Sequence, residues 1–454
     1  MTMSLAVPLR AAGALRLIAF AMLMVLALAP PRATAQTVDG SIVVTPGAIV
    51  ADIIAVPDFE PEKGASLPAG SEVIAETIYR NLEISGLFKR PGNPAHVAEA
   101  RAQDRQKNAI DFLEWRRLKA EFLVLGQMSV IADQVSAIVR VYDTASGKSI
   151  FGNRYRDFAA KDLPTLGRRI ADDIVYRLTG SQGIALTQIA YVSVGANAWI
   201  KDVWTIWADG GGRRQITNDN STVAAPCWGM NGTEIYYTSY KDHNPDLCGV
   251  RSDGSRNWFV SRQPNLNISP NWSEKNQRIV LTLARDGNSE IYVMDRTGRN
   301  LARLTRNVAI DSSPCWSPNG KQIAFTSNRS GSPQIWVMDY DGMGARQITR
   351  LAGYDYCDGA SWSPKGDKIA FAGRCNGRFD ICVVNIDGSG AIRLTDGPGD
   401  KEDPSWSPSG THLAYSSNQS GSKQIWVIRA DGTAATQLTT RGTNYSPSWG
   451  PFMK

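Results

Sequence analysis

Six tryptophans, Trp228, Trp272, Trp316, Trp362, Trp406 and Trp449, stand 44, 44, 46, 44 and 43 residues apart. A period in the low forties, filled with short β-like runs, specifies a β-propeller in which each repeat is one blade. The unit is plainest where Pro314-Cys-Trp-Ser-Pro-Asn-Gly320 leads into Ile323-Ala-Phe-Thr-Ser327, then Gln334-Ile-Trp-Val-Met-Asp339 and Gln347-Ile-Thr349. Its second strand recurs as Ile189-Ala-Tyr-Val-Ser193, Ile235-Tyr-Tyr-Thr-Ser239, Ile279-Val-Leu-Thr-Leu283, Ile369-Ala-Phe-Ala-Gly373 and Leu413-Ala-Tyr-Ser-Ser417. With Ile323 that makes six copies.

Turn chemistry separates the strands. Asp-Gly pairs at Asp209, Asp253, Asp341, Asp387 and Asp431, with Thr297-Gly298 as the variant, predict two-residue hairpins with both central residues at positive φ. Ser-Pro-x-Gly at Ser317, Ser363 and Ser407 predicts a second turn, with proline presetting φ and glycine closing it. Gly229-Met-Asn-Gly232 and Ser273-Glu-Lys-Asn276 depart from that pattern.

The ends of the array decide the closure. The first copy starts at Ile189 with no Pro-x-Trp strand before it, whereas the last, Ser446-Pro-Ser-Trp449, has little else. Pairing the strand around Trp449 with the three strands from 189 to about 217 completes a sixth blade and leaves no open edge. The tryptophans, fixed in the innermost strands, are expected to pack between blades.

Ahead of the repeats lie two other regions. Arg10 and Arg16 precede an apolar run over 17–29, and Ala33-Thr-Ala35 offers small residues for cleavage. This predicts a signal peptide over 1–35, cut before Gln36, and an exported protein. The run is too short to span a bilayer. Residues 36–182 read as an α/β domain with an arm at 36–46, and 183–454 as the propeller. In the domain, Ile49 to Phe59 reads as one strand. Ser71 would cap a helix carrying Val73, Ile74, Ile78 and Leu82, stopped at Gly86. A second helix is expected over 109–120, strands over 122–130, 135–142 and 150–155, and a third helix over 163–178. No glycine-rich phosphate loop accompanies them.

Composition narrows the function. The formal net charge of +6 loses Arg10, Arg16 and Arg32 with the leader and falls to +3, too little to argue for nucleic acid. Cys227, Cys248, Cys315, Cys357, Cys375 and Cys382 show no zinc spacing, and a Cys375–Cys382 bridge across one hairpin is open. His96, His243 and His412 flank no nucleophile, and Asp339-x-Asp341-Gly342 lacks the terminal glutamate of a calcium loop. No catalytic, cofactor or metal site is expected. What remains is the set of loops before each innermost strand, with Asn267, Ser269, Asp311, Ser312, Asp358, Glu402, Asp403, Asn444 and Tyr445 converging on a channel mouth.

The combination of leader, the segment Trp115-Arg-Arg-Leu-Lys-Ala-Glu-Phe-Leu-Val-Leu-Gly-Gln127, Gln188-Ile-Ala-Tyr191 and repeats of the Trp-Ser-Pro-x-Gly-x-x-Ile-Ala-Phe type resembles the TolB family. That family is the periplasmic β-propeller component of the Tol-Pal system in Gram-negative bacteria. The resemblance implies a multidomain chain, an N-terminal α/β domain followed by a six-bladed propeller. It implies docking of the peptidoglycan-associated lipoprotein Pal at the channel mouth, with Ser269 and Ser312 among the contacts. It also implies an arm, with Gln36, Val38, Ile42 and Val43, that signals to the inner-membrane protein TolA. Leu266 stands where that pattern would have a polar residue. A monomeric adaptor in the periplasm, supporting outer-membrane integrity and constriction at division, is the leading expectation. A secreted propeller-type serine hydrolase and a glycan-binding propeller are the alternatives.

Overall fold

The computed structural model describes residues 51–453 and, before them, the backbone of two short antiparallel strands, β1 (Ala35–Val38) and β2 (Ser41–Val44). The expected leader up to Thr34 and the arm side chains Gln36, Val38, Ile42 and Val43 lie outside the described residues.

The first unit is a mixed sheet of β3 (Asp52–Ala55), β4 (Glu60–Pro61), β5 (Phe88–Lys89), β6 (Phe122–Ile131), β7 (Gln134–Asp143) and β8 (Ser149–Ala159). Its order is β5-β3-β6-β7-β8, with β4 also pairing β6. Four helices accompany it: α1 (Glu72–Ile84), α2 (Pro94–Lys107), α3 (Phe112–Arg117) and α4 (Leu163–Thr179). Ile74, Ile78 and Leu82 on α1, with Leu166, Ile170 and Ile174 on α4, recur at helical spacing. They bury completely against Val124, Val139 and Val141 of the sheet. Helices α2 and α3 enclose a smaller cluster around Trp115.

Several local expectations change. The strand expected from Ile49 to Phe59 shortens to β3, which ends at Ala55 ahead of Pro57, and β4 begins only beyond Phe59. Ser71 sits at the start of α1, but its backbone is already helical and its hydroxyl caps nothing. The helix expected over 109–120 shrinks to α3, and α2 was not foreseen. Helix α2 buries only Val97, Ala100 and Asp104, so it carries no apolar stripe to read. Its start is nonetheless written in Asn93-Pro94, where the Asn93 side chain accepts from Ala95 N at 3.0 Å.

The second unit is six four-stranded antiparallel sheets arranged as blades. Blades one to five follow the chain over 223–261, 267–303, 311–347, 354–393 and 401–437. Blade six joins Asn444–Phe452 to Thr187–Val194, Lys201–Trp207 and Arg214–Gln215, with Asn444 opposite Ser193 and Trp449 opposite Ile189. The propeller is therefore closed by its last strand, as the broken repeat predicts. The six tryptophans are 6–8 % exposed and lie between blades. Trp228, for example, packs with Ala190 and Val192 of blade six as well as Ile235 of its own.

The Asp-Gly turns are not two-residue hairpins. In Tyr340-Asp341-Gly342 only the glycine is left-handed, at φ +91°. The loop is closed by Gly342 N to Asp339 O and Asp339 N to Met343 O, both 2.9 Å. Three residues span the turn, so one left-handed position suffices. Glycine is required for a second reason: a Cβ there would stand 2.4 Å from the Leu304 carbonyl oxygen of the preceding blade. The Ser-Pro-x-Gly turns do form as expected, with Gly320 N donating to Ser317 O at 2.9 Å. All six cysteines are free thiols; Cys375 faces Arg378 and Cys382 faces Phe371, so the open hairpin bridge is not made.

The two units meet at the end of the propeller that carries these turns. Asp209 of blade six accepts from Arg168 Nε on α4 at 2.9 Å and from Asn81 Nδ2 on α1 at 3.0 Å, all buried. In blade five, Arg429 donates to Ser85 O at 2.9 Å, and the buried His412 ring lies 3.2 Å from Ile84 O.

Candidate functional site

A propeller's innermost strands have one unpaired edge, which faces the channel. Here each of them carries a β-bulge at the same place. The left-handed residues are Ala225, Ser269, Ser313, Gly359, Asp403 and Ser446, with φ between +47° and +69°. Five are followed by proline, which has no N–H to leave unpaired on that open edge. A non-glycine residue held at positive φ costs about 1–3 kcal/mol, and five such positions around one opening mark it as a site the fold holds under strain.

Below the bulges the edge is sealed by side chains. The residue before each tryptophan faces the backbone N–H of the next blade's tryptophan. Asn271 Oδ1 accepts from Trp316 N at 2.8 Å, Ser361 Oγ from Trp406 N at 3.2 Å, Ser405 Oγ from Trp449 N at 2.9 Å and Ser448 Oγ from Trp228 N at 3.4 Å. At Cys227 and Cys315 the same position carries a thiol, which donates to Trp228 O at 3.3 Å and to Trp316 O at 3.7 Å, and burial pushes these thiols up to about 12 and about 11. Four of the six seams are thus closed by a side-chain oxygen, and these two cysteines are inert buried thiols.

The expected contact residues divide into two groups. Asn267, Asp311 and Asn444 are fully buried, contrary to their expected place on the rim. Asn267 Oδ1 accepts from Ser261 Oγ at 2.7 Å and Gln263 N at 3.0 Å. Asp311 Oδ2 accepts from Arg329 at 2.7 Å and Asn307 at 2.9 Å, and Asn444 Nδ2 donates to Gln424 Oε1 at 2.9 Å. They anchor the loops from beneath through these bonds, while Asp311 Oδ1 and Asn444 Oδ1 are buried without a partner among the described residues. Lys401, 1 % exposed, fills the matching place in blade five.

Ser269, Ser312, Asp358, Glu402, Asp403 and Tyr445 are half-buried. Glu402 pairs with Lys423, Asp358 accepts from Thr326 Oγ1 at 2.6 Å, and Asp403 Oδ2 accepts from Ser416 Oγ at 3.0 Å and Ser446 N at 3.2 Å. Burial, and then the neighbouring Glu402, push the Asp403 carboxyl above its ordinary range. Tyr445 lies 5.8 Å from the Lys201 ammonium.

Sequence reading missed the apolar part of this end. Val308 is 102 % exposed, Trp199 80 %, Ile310 52 % and Tyr240 38 %. In a four-stranded meander the loop before the first strand and the loop between the second and third lie at one end, so all four share the rim's end. Thr222 links two of them, donating to Trp199 O and accepting at its carbonyl from Tyr240 N. The signal was present: Trp199 is out of register with the tryptophan repeat, and Val308-Ala-Ile310 is an apolar run with no strand to bury it.

Chemistry is sparse elsewhere. Among the described residues no serine hydroxyl is hydrogen-bonded to a histidine ring, no group of three His, Cys, Asp or Glu could hold a metal ion, and no helix is long and apolar enough to cross a membrane.

Comparison with known proteins places this architecture. The family model described as the TolB beta propeller domain matches residues 175–453, and that of the TolB amino-terminal domain matches 40–150. The chain is 32 % identical over 216 residues to the Tol-Pal system protein TolB of Desulfosudis oleivorans, covering 46 % of this chain and 48 % of the relative. It is 30 % identical over 229 residues to that of Ruegeria sp., covering 50 % and 51 %. In these matches the chain spans about half the length of the curated relatives. The crystal structure of TolB from Acinetobacter baumannii superposes with a TM-score of 0.75 at 23 % identity, over 88 % of this chain and 97 % of that one, a likeness of fold.

Proposed function

The chain belongs to the TolB family, and on that premise we propose that it is a periplasmic, non-enzymatic adaptor of the Tol-Pal system. Its two units, 36–182 and 183–454, divide the work. The channel mouth docks a peptidoglycan-associated lipoprotein, and the arm at 36–46 signals to a TolA-like inner-membrane protein. Through these partners it supports outer-membrane integrity and constriction at division.

One observation carries the docking half of this reading. Trp199, Tyr240, Val308 and Ile310 stand exposed at the same end as the acidic and hydroxyl-bearing rim of Ser269, Ser312, Asp358, Glu402 and Asp403. Large apolar side chains left in water beside oriented polar groups are the composition of a protein-binding patch: anchors at the centre and polar groups around them. An interface of about 800 Å² per partner would cover it.

The test is a titration of the purified protein with the soluble domain of the lipoprotein. Val308→Asp together with Ile310→Asp is expected to weaken binding at least tenfold without loss of folding, and unchanged affinity would refute the docking surface. Deleting residues 36–46 is expected to abolish capture of the TolA-like partner and to spare the lipoprotein. Retained capture of the former would refute the role of the arm.

A further inference from the structure

At the opposite end, between blades one and two, lies a cavity of about 290 Å³ lined by Glu234, Arg251, Arg256, Trp258, Phe259, Arg296 and Thr297. It belongs to the end that carries the Asp-Gly turns, around Asp253 and Thr297, and takes no part in the proposed docking. Three arginines line it. Only one of them is answered by an acid within ion-pair distance among the described residues: Arg296 Nη1 lies 3.3 Å from Glu234 Oε1. Glu234 is 6 % exposed, and its other oxygen accepts from Tyr236 Oη at 2.7 Å, so that carboxylate is fully engaged.

Arg251 and Arg256 flank the hairpin turn and are tied through the backbone, Arg251 N to Arg256 O at 2.8 Å. Both side chains are exposed at the cavity. Asp253 at the turn tip is held low mainly by Ser255, and more weakly by Arg214 and Arg251, but it does not line the cavity. Like charges kept side by side on one hairpin repel, so this placement favours an occupant that neutralises them.

The wall beside the arginines is aromatic. Trp258 lies opposite Gly249, where a Cβ would stand 2.6 Å from two ring carbons, so the ring rests flat on that glycine. Its Nε1–H makes no hydrogen bond among the described residues and is not buried. Phe259 is clamped between Lys241 and Arg262, each 4.4 Å from the ring centre, which fixes the strand that presents Trp258.

We infer that this cavity binds an anionic saccharide, its carboxylate taken by the guanidinium forks of Arg251 and Arg256 and its ring laid on Trp258. Planar guanidinium groups match carboxylates in two-point fashion, and a flat indole with a spare N–H donor suits a sugar ring and its hydroxyls. The volume of about 290 Å³ falls just short of the roughly 300–1,000 Å³ of small-ligand sites, room for one sugar ring of a longer chain.

Calorimetry of the full chain with trigalacturonic acid as probe tests the inference, with galactotriose, inorganic phosphate and tetraglutamate as comparators. Saturable binding of trigalacturonic acid is expected. It should weaken at least tenfold in the exposed double variant Arg251→Ala/Arg256→Ala and in Trp258→Ala, and persist in Trp258→Phe and in Val308→Asp. Unshifted thermal unfolding establishes that each variant is folded. Absence of binding, affinity unaltered by the arginine double variant, or equal affinity for phosphate or tetraglutamate would overturn it, since the last outcome means that the cavity reads charge alone.

Discussion

The two ends of this propeller are made by the same six repeats and have been put to different uses. At the end carrying the Asp-Gly turns, the loops are short and stereotyped, and in blades five and six they are pinned by buried contacts to α1 and α4. At the mouth the loops vary in sequence, the strands beneath them are bulged at positive φ, and large apolar side chains face water. The contrast is one of degree, since Tyr340 and Met343 are also exposed at the Asp-Gly end, but only the mouth combines exposed apolar side chains with a ring of bulged strands.

Four substitutions or conditions can break that contrast. Asp209→Ala leaves the Arg168 guanidinium, 6 % exposed, without its carboxylate. Stranding one member of a buried pair costs roughly 3–5 kcal/mol, to be read in denaturant titration, and replacing both with apolar residues should cost less. Acidification acts at the same junction. Burial holds the His412 imidazole down at about 4, below its ordinary 6.5. The neutral ring is therefore the one the fold accepts. The contribution is full above pH 6.5 and lost as pH falls toward 4, to the extent of at most about 3 kcal/mol, and His412→Asn should flatten that part of the stability profile. Gly342→Ala forces a Cβ to within 2.4 Å of the Leu304 carbonyl at φ +91° and should cost roughly 2 kcal/mol by thermal unfolding. Val308→Asp, at a fully exposed mouth position, should shift stability by less than about 0.5 kcal/mol while acting on lipoprotein binding.

The blade count, the closure and the tryptophan packing were legible because they depend on period and on which strands are missing, properties a sequence states directly. The site was harder. Asn267, Asp311 and Asn444 are polar, and polarity alone does not distinguish a residue that meets solvent from one that ties a loop internally. Their shared position, five residues before a tryptophan, was the available sign: residues repeated in register serve the repeat. Leu266, apolar where the family pattern would have a polar residue, is half-buried beside Asn267, whose Nδ2 donates to Gln263 O at 2.7 Å. Helix α2 stayed hidden because its burial rests on three residues, one of them Asp104, which holds Trp115 Nε1 at 2.9 Å. The Arg251, Arg256 and Arg296 cluster could not be seen at all, since it is assembled from two blades.

The pairing of Asn444 with Ser193 joins residues 251 positions apart. Until that contact forms, blade six lacks its inner strand, and Trp228 of blade one lacks the Ser448 carbonyl that accepts from its Nε1 at 3.0 Å. Closing so long a loop is entropically demanding and favours slow assembly. The strand at 444–452 is thus the clasp of the ring: it alone joins the end of the repeat array to its beginning, so the closure rests on a single strand pairing.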